Sequence, residues 1–304
     1  MSPIVAAHFF FLSGLMLNFQ RRNWKESGGN KMYKLIACDL DETLLSSDRS
    51  VSKKNVEAIQ KAQDLGVKFV LASGRGYASM QDTLKEIGLY EEEDEYVISF
   101  NGGAVTENKE NELLYLQGIS FEFASEIFKR GLDYDVAIRV YTKEDAYMYN
   151  LVEEERKHLE NLMEVTEIFE ENIDFLKDEQ IIKILYMNTD RAYLESIAEE
   201  LKEVTQNSDV SYSSNRYLEF NQKGVNKGAG LKFLAERLGL DMSQTIAIGD
   251  NFNDYPMLQV AGLSVGVQNM VPDLKEEMDY IADATYDEDA IHEVIEKFIL
   301  NPEK

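Results

Sequence analysis

The apolar positions of this chain fall into two periods that alternate along its length. Short, mostly apolar runs occur at 34–38, 67–72, 96–100 and 245–248, with lesser ones at 263–267 and 280–282. A continuous run of strand length predicts a strand buried on both faces. Between these runs the spacing turns helical. Val56, Ile59 and Ala62 share one face of a predicted helix over 52–65, which Gly66 stops. A second helix is predicted over 77–87, ending at Gly88. A third begins near 226, where Leu231, Leu234, Ala235 and Leu238 recur at i, i+3, i+4 and i+7 before Gly239. A last amphipathic helix is predicted over 288–300. Strands alternating with helices predict an α/β fold: a Rossmann-like parallel sheet covered on both faces, with right-handed crossovers.

The alternation lapses between 104 and 216. Strand-like pieces stand at 137–141, 146–149, 181–187 and 211–212, and helical pieces at 121–132, 152–162 and 191–203. None of these strands ends in a compact Asp- or Gly-rich turn. The expectation is an α/β domain with a mixed or antiparallel sheet, inserted over 105–215 into a core made of 32–104 and 216–304. Residues 1–31 differ again. A largely apolar, uncharged run from Ile4 to Phe19, interrupted by His8, Ser13 and Asn18, precedes Arg21, Arg22 and Lys25. A secretory signal carries its charge before the apolar run, not after it. The run is short for a membrane span. The leader is therefore expected to lie outside the fold, with no stable membrane insertion; a weak membrane anchor is the alternative.

Charge narrows the partners. The 304 residues carry 31 basic and 56 acidic side chains, a formal net charge of -25. Nucleic acid and anionic membranes select basic surface, so neither is expected as the main partner. A small anionic substrate is compatible if the pocket supplies local cations. The single cysteine, Cys38, excludes an intrachain disulfide and fits a reducing cytoplasm, the expected location. A monomer or homodimer is expected.

Chemistry gathers where the predicted strands end. The first gives Asp39-Leu40-Asp41-Glu42-Thr43, the second Ser73-Gly74-Arg75, the third Asn101-Gly102-Gly103, and the run over 245–248 ends in Gly249-Asp250-Asn251-Phe252-Asn253-Asp254. Ligands of open parallel sheets bind outside the carboxyl ends of the strands, which sets these segments along one edge. Two carboxylates one residue apart repel unless a cation or a proton intervenes. The pair therefore points to a Mg²⁺ site, an acid/base device, or both; a turn rich in capping residues is the plainer reading. Asp39, Asp41 and Asp250 are hard oxygen ligands suited to Mg²⁺. Ser73, Asn253 and the glycine-rich backbone are neutral donors for phosphate oxygens. Lys227 falls in the first turn of a helix, where an anion is favoured; a solvated lysine is the alternative. Together these groups form a phosphoryl-transfer kit.

Taken in order, the four segments strongly resemble the motifs of the haloacid dehalogenase superfamily of phosphohydrolases: Asp39 to Thr43, Ser73 within Leu71 to Arg75, Lys227, and Gly249 to Asp254. The Asn101-Gly102-Gly103 turn, Gly224 to Gly228 and Gly249 to Asp254 resemble the Cof-type branch. The resemblance runs from about Met32 to the C-terminus, and Glu42 stands where many relatives have glycine. It implies Asp39 as nucleophile, forming an aspartyl-phosphate, and Asp41 as proton carrier. It implies Mg²⁺ on the Asp39 side chain, the Asp41 backbone carbonyl and Asp250, with Asp254 holding metal-bound water or orienting Lys227. Ser73, Lys227 and Asn253 would bind the phosphoryl group, with Gly74 and Asn101 nearby; a plain turn is the alternative for Asn101. Thr43 would help orient Asp41, while Arg75 is left out of the catalytic set as a structural residue pairing with a nearby carboxylate. The insert resembles a large α/β cap closing over the edge. The implied activity is Mg²⁺-dependent hydrolysis of a small soluble phosphomonoester, a sugar phosphate first, pyridoxal phosphate or flavin mononucleotide next. A phosphosugar mutase or other phosphotransferase, and a non-catalytic ligand-binding protein, are the alternatives.

Overall fold

A computed structural model describes residues 32–302 apart from 144, 161, 162 and 214. The expectations for the leader lie outside the described residues.

Two sheets organise the described chain. The first holds β1 (Leu35–Cys38), β2 (Lys68–Ala72), β3 (Tyr96–Ser99), β4 (Ala104–Glu107) and β5 (Leu113–Leu116). The second is built from β6 (Ala137–Thr142), β7 (Ala146–Tyr149), β8 (Thr166–Ile168), β9 (Ile181–Met187), β10 (Ser208–Ser213) and β11 (Tyr217–Gln222). The chain then returns to the first sheet with β12 (Thr245–Gly249), β13 (Leu263–Gly266) and β14 (Tyr280–Ile281).

The first sheet runs in the order β14-β13-β12-β1-β2-β3-β4-β5. It is parallel from β14 to β3 and antiparallel beyond. β1 lies between β12 and β2, where the strand order reverses, and the crevice at such a switch point is where ligands bind. The apolar run of β1 serves both faces. Ile36 and Cys38 pack in one core cluster with Ile59, Ile291 and Val294; Leu35 and Ala37 pack in the other with Leu231, Leu234 and Met257. This two-sided burial is why the run does not alternate with polar residues.

The second sheet, β10-β11-β9-β6-β7-β8, is antiparallel except where β8 joins β7. On β6, β9 and β11 the even-numbered positions, among them Ile138, Val140, Ile184, Tyr186, Leu218 and Phe220, form a core with residues of the helices Phe121–Gly131 and Arg191–Glu200. Their odd-numbered positions face the other way and carry Arg139, Lys183 and Glu219. The α/β fold with a parallel-sheet core and an inserted cap-like domain is therefore present. The sheets divide the chain at other positions than the expected 105 and 215, however. β4 and β5 form a hairpin that extends the first sheet from β3, and β11 belongs to the second, paired on both sides. β4 and β5, at four residues each, are too short to establish a period, and β11 mixes apolar with polar residues.

Candidate active site

The first carboxylate sits where β1 stops. Asp39 keeps sheet pairing through its N–H to the Ile248 carbonyl at 2.9 Å, so its side chain emerges at the carboxyl edge beside β12. Lys227 opens the helix Lys227–Arg237, whose N-cap Asn226 accepts from Ala229 N–H. Its backbone is set by the neighbouring turn. Gly102 has φ +89°, and a Cβ there would lie 2.1 Å from the Asn226 carbonyl oxygen, so only glycine fits.

Lys227 is wholly buried and donates to both Asp39 Oδ1 and Asp254 Oδ1, the latter at 2.6 Å. The other Asp254 oxygen accepts from the backbone N–H groups of Asp250 and Asn251, each at 3.0 Å. Asp254 thus ties the Gly249–Asp254 loop to the lysine. Asp250 accepts from Thr43 Oγ1 at 3.0 Å, so Thr43 braces the aspartate across the site and not Asp41, as had been expected.

Burial and the mutual repulsion of these acids shape their protonation. Asp39 is pushed up to about 7 by burial and then by Asp254, against the opposing pull of Lys227. Asp250 rises to about 9, again through burial first and then Asp254 and Asp39. Burial alone would lower the Lys227 ammonium; Asp254 and Asp39 together outweigh it and hold it above the ordinary lysine value.

Such crowding is what a cation relieves. Oxygens of Asp39, Asp250 and Asp254 lie within 4.8 Å of one another, close enough to share one metal ion. Asp254 spends both oxygens on hydrogen bonds. Asp39 and Asp250 each keep one oxygen that accepts no hydrogen bond among the described residues. Two hard oxygen donors, with the third acid behind them, fit Mg²⁺, which binds few carboxylates and keeps waters. The Asp41 carboxylate stands apart from this group. It accepts from Arg75 through both oxygens, Nε–H reaching Oδ2 at 2.9 Å.

Asp39, Asp41, Ser73, Gly74, Asp250 and Asn253 all line one cavity of about 610 Å³. Lys227 and Asp254 stand behind Asp39, off the cavity wall. Ser73 does not cap the next helix; its Oγ accepts from Arg75 N–H at 3.2 Å. Asn101, at φ 53°, is buried, and its side chain donates to Glu219 at 3.0 Å; its contact with Asn253, at 3.5 Å, is too long to count for much. The second sheet supplies the opposite wall, with Arg139, Tyr141, Lys183, Tyr217 and Glu219. None of these was singled out from the sequence. A lone charge at an inward position of an otherwise apolar strand, as in Ile181-Ile182-Lys183-Ile184-Leu185, was the signal available. Arg75 pairs with a nearby carboxylate, as expected of a structural arginine, and that carboxylate is Asp41, the second aspartate of the pair.

A doubly wound α/β sheet with an acidic centre at its switch point and a second α/β layer over it is an arrangement suited to phosphoryl transfer at a cation. The family model for haloacid dehalogenase-like hydrolases matches residues 36–295, and the chain belongs to that family. A Streptococcus pyogenes protein provisionally named a phosphatase is 33% identical over 271 residues, covering 88% of this chain and 99% of its own. The 5-amino-6-(5-phospho-D-ribitylamino)uracil phosphatase YcsE of Bacillus subtilis is 29% identical over 273 residues, covering 88% and 96%. The crystal structure of a haloacid dehalogenase-like hydrolase from Bacteroides thetaiotaomicron superposes with a TM-score of 0.76 at 29% identity, covering 88% of this chain and all of that one. The resemblance read from the four motifs is borne out, and the chain is an enzyme of this family. Among the described residues, no helix is long and apolar enough to cross a membrane.

Proposed function

We propose that this enzyme is a Mg²⁺-dependent phosphatase of small phosphomonoesters, a sugar phosphate first among them, with Asp39 as nucleophile and Asp41 as proton carrier. One observation carries the reading. The two aspartates face one cavity, and each has its own cation: Lys227 for Asp39, Arg75 for Asp41. Paired acids held by different partners suit different tasks.

Lys227 favours the ionised Asp39 that nucleophilic attack on phosphorus requires. Attack forms an aspartyl-phosphate on Asp39. Asp41 gives a proton to the departing oxygen, then takes one from the water that hydrolyses the acyl phosphate. Asp39 and Asp250 would hold Mg²⁺, which offsets negative charge between carboxylate and phosphate when bound. Ser73, Asn253 and the Gly74 backbone line the same cavity and would supply donors to the phosphoryl oxygens. Asp254 holds Lys227 and the 249–254 loop in register.

The substrate class rests on size and kinship. A cavity of about 610 Å³ takes a small molecule, which disfavours phosphoproteins. The Bacillus subtilis relative acts, by its name, on a phosphorylated ribityl compound, which keeps sugar and polyol phosphates foremost. Pyridoxal phosphate and flavin mononucleotide are the next compounds to test. The experiment is a phosphomonoester panel with Mg²⁺ and, in parallel, with a chelator, read as inorganic phosphate. Release from a sugar phosphate that stops on chelation supports the proposal. No release from any ester, or undiminished release in chelator, counts against it.

A further inference from the structure

The wall of the cavity opposite Asp39 carries a buried ion pair that the chemistry above leaves unused. Lys183 on β9 and Glu219 on β11 are 2% exposed each and bonded at 2.7 Å. Their immediate neighbours along the strands, Ile182, Ile184, Leu218 and Phe220, are apolar and buried. A buried ion pair is seldom the most stabilising choice for such a place, because desolvation offsets the attraction. Its other contacts point to what it does. Lys183 also donates to the Gly74 carbonyl at 3.0 Å, and the same Glu219 oxygen accepts from Asn101 Nδ2 at 3.0 Å. The second Glu219 oxygen accepts from Ser213. One pair on the second sheet therefore grips two turns of the first.

Those turns are already joined to each other. Asn101 N–H donates to the Ser73 carbonyl and Phe100 N–H to the Arg75 carbonyl, both at 2.9 Å. They are packed without slack, since a Cβ on Gly74 would lie 3.3 Å from the Asn101 amide. The Phe100 ring meets Tyr141 of β6 edge-on, with centroids 5.9 Å apart. Holding the Gly74 carbonyl fixes the peptide between Ser73, which lines the cavity, and Arg75, which holds Asp41.

We infer that Lys183 and Glu219 form a latch between the inserted sheet and the Ser73–Arg75 turn, so that the phosphate end of the site is set only while the insert is seated. The inference rests on the phosphatase reading for its effect on turnover, but not for its effect on the turn. Both are positioning residues. Their loss acts on the phosphate end, which every substrate shares, and not on the leaving group.

The test compares wild type with Lys183→Met/Glu219→Gln, which removes both charges while the amide still accepts from Asn101. Glu219→Gln alone is the second variant should the double one fold poorly. Hydrogen exchange is read at the amides of Arg75, Phe100 and Asn101. Turnover of p-nitrophenyl phosphate and of a sugar phosphate is read alongside, with inhibition by inorganic phosphate. A lost hydrogen bond to a charged group corresponds to about a 10- to 100-fold fall in kcat/KM. The latch predicts the same fall for both esters, weaker inhibition by phosphate, and faster exchange in the two turns with β1 unchanged. A fall confined to the sugar phosphate overturns it, because Lys183 would then be contacting the leaving group. Unchanged exchange in the turns also overturns it. Should wild type release phosphate from neither ester, the phosphatase reading fails, and the exchange data alone decide the latch.

Discussion

Replacing Lys227 by methionine separates what the lysine does for the fold from what it does for the chemistry. Its ammonium is wholly buried between two carboxylates, Asp254 with no exposed side-chain surface and Asp39 with 8%. Removing one partner of a buried pair costs about 3–5 kcal/mol, because the remaining charge is stranded. Two features bring the expected cost to the lower end. Asp254 keeps two backbone N–H donors, and Asp39, already pushed up to about 7, can take a proton. The variant is expected to lose about 3 kcal/mol, a fall in Tm of roughly 6–12 °C for a chain of this size. Against a total stability of about 5–15 kcal/mol it still folds. A protonated Asp39 is no nucleophile, so phosphate release should fall by about 10³-fold or more. The paired variant Lys227→Met/Asp254→Asn removes the stranded charge while the amide oxygen at 254 still accepts from the loop. It should recover about half of the lost stability and none of the activity. The assays are thermal denaturation in chelator and initial rates of phosphate release with Mg²⁺. Stability within 1 kcal/mol of wild type, activity within tenfold, or activity restored in the double variant would each refute this account of Lys227.

Two further outcomes follow from the acidic centre and the turn beside it. With Asp39 pushed up to about 7 and Asp250 to about 9, the metal-free folded state holds protons that the unfolded chain has released above the ordinary value of 3.8. The stability they contribute is fully present below that value and is lost as pH rises toward the folded values. Tm in chelator should therefore fall from pH 6 to pH 9, Asp250→Asn should flatten the slope, and Mg²⁺ should raise Tm more at the upper pH; a Tm that rises with pH would contradict this. Glu42 adopts φ 59° in the turn after Asp41, a conformation that costs an L-residue about 1–2 kcal/mol and glycine almost nothing. After the extra chain entropy of glycine, Glu42→Gly should stabilise by about 0.5–1 kcal/mol in a denaturant titration, and a loss of stability would show that the Glu42 side chain contributes to the turn.

What the sequence made legible was the part of the molecule built on long-range repetition. β1, β2, β3 and β12 are apolar runs buried on both faces, and each ends in a compact polar segment, so their existence and the gathering of Asp39, Ser73, Asn101 and Asp250 along one edge could be read directly. Arg75 was visible, but its partner was not. Which carboxylate an arginine meets depends on how the two turns are set against each other, and no local period encodes that. Asn101 was open between a turn residue and a phosphate contact; its backbone does make the turn, while its amide is drawn to Glu219 from a strand 118 residues away. Lys183 and Glu219 were passed over because a single charge barely disturbs the pattern of a short strand. The hairpin of β4 and β5 is not legible locally, because strands of four residues are too short to establish a period.

The account turns on Asp39. Initial rates of phosphate release with Mg²⁺, from the best ester of the panel, should be compared between wild type and Asp39→Asn, with thermal denaturation showing that both are folded. The account predicts a folded Asp39→Asn variant whose release is lower by about 10³-fold or more, as expected for removal of a covalent nucleophile. A folded Asp39→Asn variant that keeps turnover within tenfold of wild type would contradict it.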